Sequence, residues 1–562
     1  MTKPLFLARL RGTQAQMGAQ HGRLAAAEAV RLFGFYRTMP ERTLAGGLGP
    51  TSRFVVRQIA QAWQSRLARD RPPELAARSR AYVEAVLAEV PGQGPRDARL
   101  AFATMDSMQN CVALAARAQL GPFASRLGER VSAAAVPACS TVIAWGSATE
   151  DGELLFARNF DFPGIGVWDA APSFVVCAPD SGQRYGFFAT KGADVPAISV
   201  VNEAGLVMAP HTRWHREVTW GGAMIVDLVH DIARRAETLE DAIRIARSRP
   251  ASSSWGLAIG STRERSAIVL ELAGQHVEVV RPRPGAEHLE CANRYRSERL
   301  QAGEFAASAA WGHHSNHREQ RMRALVEGRT APLTPRDLAG FLGDRVEVGS
   351  GPAGGRRRLG SILSQPTNVH AVVIAAAAHR AWVGVDEAPC CEGTFAELTW
   401  EWDGPAGGWE LGAEAGSGFT AQTVAGFVEP HDAATRHVRD GIRAYEHDHD
   451  IPAARAAIER AVGVDPEDPS LRLAAAWLAL ETGAPDRAVI HVHAGLAGET
   501  EPYRRGQLLS CGARAADRHD PELAKRWFDE LSRLPGEGLD ELRARARRRG
   551  PIYTNLMVVD AY

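Results

Sequence analysis

The chain has 562 residues, room for several domains and at least one large core, and its 65 Lys and Arg nearly balance 66 Asp and Glu. A net charge of −1 argues against nucleic acid or an anionic membrane as the main partner. Seven scattered Cys fit a reducing compartment, no apolar run approaches the roughly 18 residues of a membrane span, and the start is too short in apolar residues for a signal peptide, so a cytoplasmic protein is expected.

Residues 1–138 read as a mostly helical segment. A strand-like Leu5-Phe6-Leu7 leads into Gly12-x5-Gly18-x-Gln20-His21-Gly22, and Ala/Arg/Leu-rich helices are expected at about 23–38, 53–70, 73–90 and 98–118. Breaks fall at Gly46–Pro50, Arg71–Pro73 and Pro91–Pro95. The character changes at Cys139. Cys139-Ser140-Thr141-Val142-Ile143 opens an apolar, β-branched run, Glu150-Asp151-Gly152 is a hairpin turn, and the return strand ends at Arg158-Asn159-Phe160-Asp161. Pairing of the two strands brings Cys139 near Arg158 and Asp161, a thiol beside a cation and a carboxylate. Strands are expected at 139–148, 153–160, 172–178, 184–190, 196–201 and 205–211, and again at 255–260, 265–273, 275–281 and 288–292. Helices are expected at about 222–235, 239–248 and 315–327, and a last strand pair at 369–377 and 380–386. Strands, helices and strands with short connections favour an α+β domain with mostly antiparallel sheets over 139–430.

From 431 to 562 the chain reads as helical with a repeat. Similar turns precede Ala454, Ala488 and Ala524, which lie 34 and 36 residues apart, a period like that of tetratricopeptide repeats. The end, Ile552–Val559, is apolar and β-branched, and is expected to fold back on the catalytic domain near its mouth.

Taken together, the Gly12–Gly22 stretch, Cys139-Ser140-Thr141, Arg158-Asn159-x-Asp161, Asn202-Glu203-x-Gly205-Leu206 and Asn293-Arg294-Tyr295 resemble the isopenicillin-N (acyl-CoA:6-aminopenicillanate) acyltransferase family of N-terminal-nucleophile hydrolases, relatives of choloylglycine hydrolases. The resemblance covers roughly residues 5–400. It implies an αββα sandwich made as a precursor and cut by its own thiol between Ala138 and Cys139. It implies that Arg158 favours the thiolate, that Asp161 orients the new ammonium, and that Asn293 donates to the oxyanion. His211 and Thr212 lie where relatives place a second oxyanion or substrate contact, Asn202 is a further candidate, and an expected Arg is either Arg318 or Arg321. No cofactor and no metal is implied. The substrate is expected to be a small N-acylated amide, with Phe160, Phe162, Trp168, Phe174 and Trp214 as possible lining, and the helical repeats offer a surface for a protein partner. Two other readings compete: an interaction protein with an inert sandwich, and a papain-like thiol protease, for which no family-like Cys motif is present.

Overall fold

The structure is a computed structural model, and it describes residues 2–45, 58, 62–63, 65–92, 109–110, 138–217, 219, 221–305, 309–348, 355–405, 407–411, 417–547, 552, 554–556 and 559–561. The expected helix at 98–118, the breaks at Gly46–Pro50 and Pro91–Pro95, and much of 53–70 lie wholly or largely outside them.

In chain order the strands are β1 (Phe6–Gly12), β2 (Ala138–Ala144), β3 (Leu155–Asp161), β4 (Pro172–Pro179), β5 (Tyr185–Thr190), β6 (Ser199–Asn202), β7 (Leu206–Thr212) and β8 (Trp255–Ser261). They continue with β9 (Ser266–Ala273), β10 (His276–Val280), β11 (His288–Cys291), β12 (Asn368–Ala375), β13 (Arg380–Gly384), β14 (Phe395–Trp400), β15 (Gly407–Leu411) and β16 (Phe419–Val424). One sheet runs β10-β9-β8-β7-β6-β5-β4-β1-β15 and the other β11-β2-β3-β12-β13-β14-β16. Apart from the parallel β1–β4 pair, neighbours are antiparallel. The three last strands were not expected from the sequence. Gly407-Gly408 hides β15, whereas the alternation of polar and apolar residues in β14 and β16 is a strand signal that was there to read.

The helices are α1 (Gln14–Leu24), α2 (Ala26–Ala45), α3 (Pro73–Glu89), α4 (Ile225–Arg235), α5 (Leu239–Ser248), α6 (Ala309–Glu327) and α7 (Pro335–Leu342). Ile143, Phe156 and Val372 from one sheet meet Phe174, Val207 and Ala258 from the other in a single apolar layer. The outer face of the nine-stranded sheet packs under α4 and α5, that of the seven-stranded sheet under α6 and α7. The layers are therefore α, β, β, α.

The Gly12–Gly22 stretch is a crossing device. Thr13 caps α1 in a reciprocal capping box with Gln16. Gly18 and Gly22 let α1 touch the main chain of α3, since a Cβ there would stand 2.2 Å from the Arg78 carbonyl oxygen and 2.4 Å from that of Tyr82. His21 and Arg78 then converge on the buried Asp194.

The tail continues with α8 (Ala433–Arg443), α9 (Ile451–Val464), α10 (Pro469–Glu481), α11 (Pro485–Gly498), α12 (Pro502–Ala516), α13 (Pro521–Arg533) and α14 (Leu539–Ala546). From α8 to α13 each helix packs on the next. Asp450 and Asp520, at equivalent turns, cap α9 and α13 by accepting from Ala453 and Leu523 main-chain N–H groups at 2.9 and 3.0 Å. The described part of the chain end differs from expectation. Thr554–Asn555 and Asp560–Ala561 pair with each other, Thr554 N–H donates to Glu481 of α10, and Gln507 of α12 donates to the Val559 carbonyl. Its apolar residues Leu556 and Val559 are buried, and the main-chain partners of the end lie on the helical tail.

The tail is also joined to the sandwich by buried charge. Arg504 of α12 pairs with Glu347 and lies 3.3 Å from Glu499, all three buried. Arg358 donates to Asp432 at 2.6 Å, and its main-chain N–H to Asp468 at 2.8 Å.

Candidate active site

β2 and β3 pair with Cys139 opposite Phe160, Thr141 opposite Arg158 and Ala138 opposite Asp161. Side chains alternate along a strand, so Cys139, Thr141 and Arg158 face the second sheet, while Ser140 and Asp161 face the helical layer. The hairpin thus sorts its two charges onto opposite sides of one strand.

Cys139 is 2% exposed. Arg158 places Nη2 3.4 Å from its Sγ and donates from the same nitrogen to the Pro210 carbonyl on β7 at 2.8 Å. Burial pushes the thiol pKa up, and Arg158 pulls against that. The thiol is therefore protonated at neutral pH. The Cys139 main-chain N–H donates to Asn293 Oδ1 at 3.0 Å. Asn293 follows β11 and donates from Nδ2 to the Thr212 carbonyl at 3.0 Å.

Of the two candidate arginines, the structure brings Arg318 to the thiol. From α6 it donates to the Cys139 carbonyl at 2.7 Å, to Ser140 Oγ at 2.9 Å and to Asn293 Oδ1 at 2.7 Å. Arg321 forms a two-pronged pair with Asp344 instead. Ser315, on the same helix, accepts from the Asn293 main-chain N–H at 2.8 Å. His314 Nδ1 accepts from Arg318 Nε at 3.2 Å. Ser315 did not stand out in the sequence; its spacing from Arg318 on one helix is the signal that could have found it.

Asp161 accepts from Asn368 Nδ2 at 2.9 Å. Burial raises its pKa to about 7, against the pull of Arg318, Asn368 and Arg158. His211 is fully buried beside Thr141, with Nε2 2.9 Å from Oγ1. Burial and the cations Arg158, Arg213 and Arg318 hold it neutral. Asn202 is not at the site: it seals the β6–β7 turn, accepting from Leu206 N–H and donating to the Ala233 and Ala236 carbonyls. That turn is the far end of β7 from Thr212, about 20 Å away. Among the aromatic candidates, Phe160 stacks on Phe162 at 4.9 Å beside Trp168. Trp214 sits apart with Phe305 and Trp311, and Phe174 is spent between the sheets.

Around Cys139 several buried polar atoms have no hydrogen-bond partner among the described residues: Arg158 Nε and Nη1, Asp161 Oδ2 and His211 Nδ1. A buried polar atom left unpaired costs about 1–3 kcal/mol, more where it is charged. Among the described residues no His, Cys, Asp and Glu cluster of three or more could hold a metal ion.

Comparison with curated proteins gives no match. Among solved structures, a Caenorhabditis elegans N-acylethanolamine-hydrolyzing acid amidase ortholog is 11% identical, over 42% of this chain and 93% of that one, with a TM-score of 0.29. A variant of conjugated bile acid hydrolase from Clostridium perfringens is 9% identical, over 52% and 99%, with a TM-score of 0.31. A second variant of that hydrolase, at the same identity and coverage, scores 0.30. Residues 147–382 match the family described as acyl-coenzyme A:6-aminopenicillanic acid acyl-transferase, a stretch that holds Arg158, Asp161, His211, Asn293 and Arg318 and begins eight residues after Cys139, and over it the resemblance carried by the motifs is borne out.

Proposed function

We propose that the protein is a self-cleaving cysteine N-terminal-nucleophile enzyme that takes a small N-acylated amide apart through a thioester on Cys139. The observation that carries this reading is the set of unpaired polar atoms around the thiol. A sandwich kept only as a scaffold gains nothing from a buried arginine, a buried carboxylate and a buried histidine left partly unsatisfied.

In the first step Sγ attacks the Ala138 carbonyl, the C–N bond breaks, and the proton leaving sulfur ends on the released Cys139 nitrogen. Water then hydrolyses the thioester, leaving Ala138 as a carboxylate and Cys139 with a free thiol and amine. An α-amino group titrates near 7.7–8.0, so the new amine is itself the base that removes the thiol proton in later turnovers. Asp161 Oδ2 receives the ammonium and Arg158 stabilises the thiolate. Asn293, held by Arg318 and Ser315, presents its amide to the oxyanion, a donor worth about 2.7–4 kcal/mol. Water as acyl acceptor gives hydrolysis, and an amine gives acyl transfer. The helical tail is read as tetratricopeptide-like, with a surface for a protein partner.

Mass spectrometry of the purified protein tests this. Wild type is expected as two chains, the second beginning at Cys139, and Cys139→Ala as one chain of 60.6 kDa. A wild type that stays whole yet hydrolyses amides overturns the mechanism.

A further inference from the structure

α6 has two occupied faces. On one, Ser315 and Arg318 hold Asn293 and the Cys139 carbonyl. The other is gripped by the tail at successive turns. Glu541 of α14 accepts from the Ala309 main-chain N–H at 2.8 Å, so the first N–H of α6 is capped by a residue 232 positions away. Gly538 presses on the same end, where a Cβ would stand 2.9 Å from both Ala309 Cβ and Tyr503 Cε2. One turn on, the His313 ring stacks on Tyr503 of α12, centroids 4.5 Å apart, and lies tilted against His317 at 3.8 Å. His313 Nε2 lies 3.5 Å from Glu501.

A second line of contacts runs beside the first. The Arg504 guanidinium packs so closely on Gly360 that a Cβ there would stand 2.4 Å from it. The Gly360 carbonyl accepts from Gln365 at 2.8 Å, and Gln365 abuts His314, the partner of Arg318. Helices shift as rigid bodies, so a tail that fixes the start of α6 also fixes Arg318 at its middle.

We propose that the tail is part of the catalytic assembly, with Tyr503 and Glu541 as positioning residues that set α6 so that Arg318 and Ser315 hold Cys139 and Asn293 in register. This rests on the reading of Cys139 as the nucleophile. It assigns the tail a role in the chemistry in addition to any partner it binds.

The test follows self-cleavage in full-length chains during cell-free synthesis, with timed samples on denaturing gels and the melting temperature of each chain measured alongside. Tyr503→Leu and Glu541→Ala are expected to slow cleavage about tenfold, and Tyr503→Phe, which keeps the stacking ring, to restore it. Trp527→Leu is the control. Trp527 packs on Gly512, half a helical turn round α12 from Tyr503, so its loss loosens the tail without touching α6. It is expected to melt lower and cut at the wild-type rate. Cleavage as fast in Tyr503→Leu and Glu541→Ala as in wild type, or slowed as much by Trp527→Leu, overturns the inference. A wild type that is never cut overturns the reading of Cys139 and the inference with it, whereas a wild type that cuts beside equally fast variants overturns the inference alone.

Discussion

At Asp161 burial and charge pull in opposite directions, and burial wins. In the uncut fold the carboxyl keeps its proton up to about pH 7, where an unfolded Asp releases it near 3.8. Between those values the folded state binds one proton more than the unfolded, so stability falls as pH rises through the window and the loss is complete above about 7. Between pH 4 and 8, denaturant unfolding of uncut Cys139→Ala is expected to lose more stability, or gain less, than that of Cys139→Ala with Asp161→Asn, since buried neutral histidines such as His211 contribute the opposite slope to both chains. Equal pH slopes in the two chains would remove Asp161 as its source. The proximity of Arg158 and Asp161 to Cys139 was legible from the Asp-Gly turn. Their placement on opposite faces was also there to read, since the two are an odd number of residues apart. The choice between Arg318 and Arg321 was not: both are arginines on one helix, and only the orientation of that helix over β2 and β11 separates them.

Among the elements, the strands of the sandwich were legible because apolar alternation and Gly turns bound them tightly, and most begin or end within a few residues of expectation. α6 was read six residues short. Its first turn ends on Gly312, a weak helix former, and is held by Glu541 and, one turn on, Tyr503, partners that local sequence cannot display. A helical repeat that stacks on its own neighbours is expected to be separable, so that deletion from about residue 432 would leave a folded core. The buried charge shared between tail and sandwich argues that such a deletion costs stability. Glu347 is 1% exposed and is neutralised mainly by Arg504, and a buried charge stripped of its partner costs about 3–5 kcal/mol. Arg504→Met is therefore expected to lower stability by about 3 kcal/mol, and Arg504→Met with Glu347→Leu to recover much of it. Calorimetric melting of the three chains decides this. A single variant as stable as wild type would mean that Arg357, 3.8 Å from Glu347, suffices.

For the molecule as a whole, the decisive feature is the position of β1. It lies inside the nine-stranded sheet, hydrogen-bonded to β4 on one side and β15 on the other, and belongs to the segment before Cys139. The sequence showed a strand-like start but not its neighbours, because a parallel partner more than 160 residues away leaves no local trace. With the proposed cut after Ala138, the two pieces would remain one body, since removing β1 exposes the edge of β4 and leaves β15 without a sheet neighbour. Folding, however, would take place while β1 is tethered to the strands it joins. After such a cut the tether would be gone, and the same native arrangement would be a bimolecular product. The cut protein would then carry a record of its synthesis, persisting by slow unfolding and not easily remade. Refolding yield from denaturant should accordingly be independent of dilution for uncut Cys139→Ala and should fall with dilution for the cut protein, so that maturation works as a ratchet.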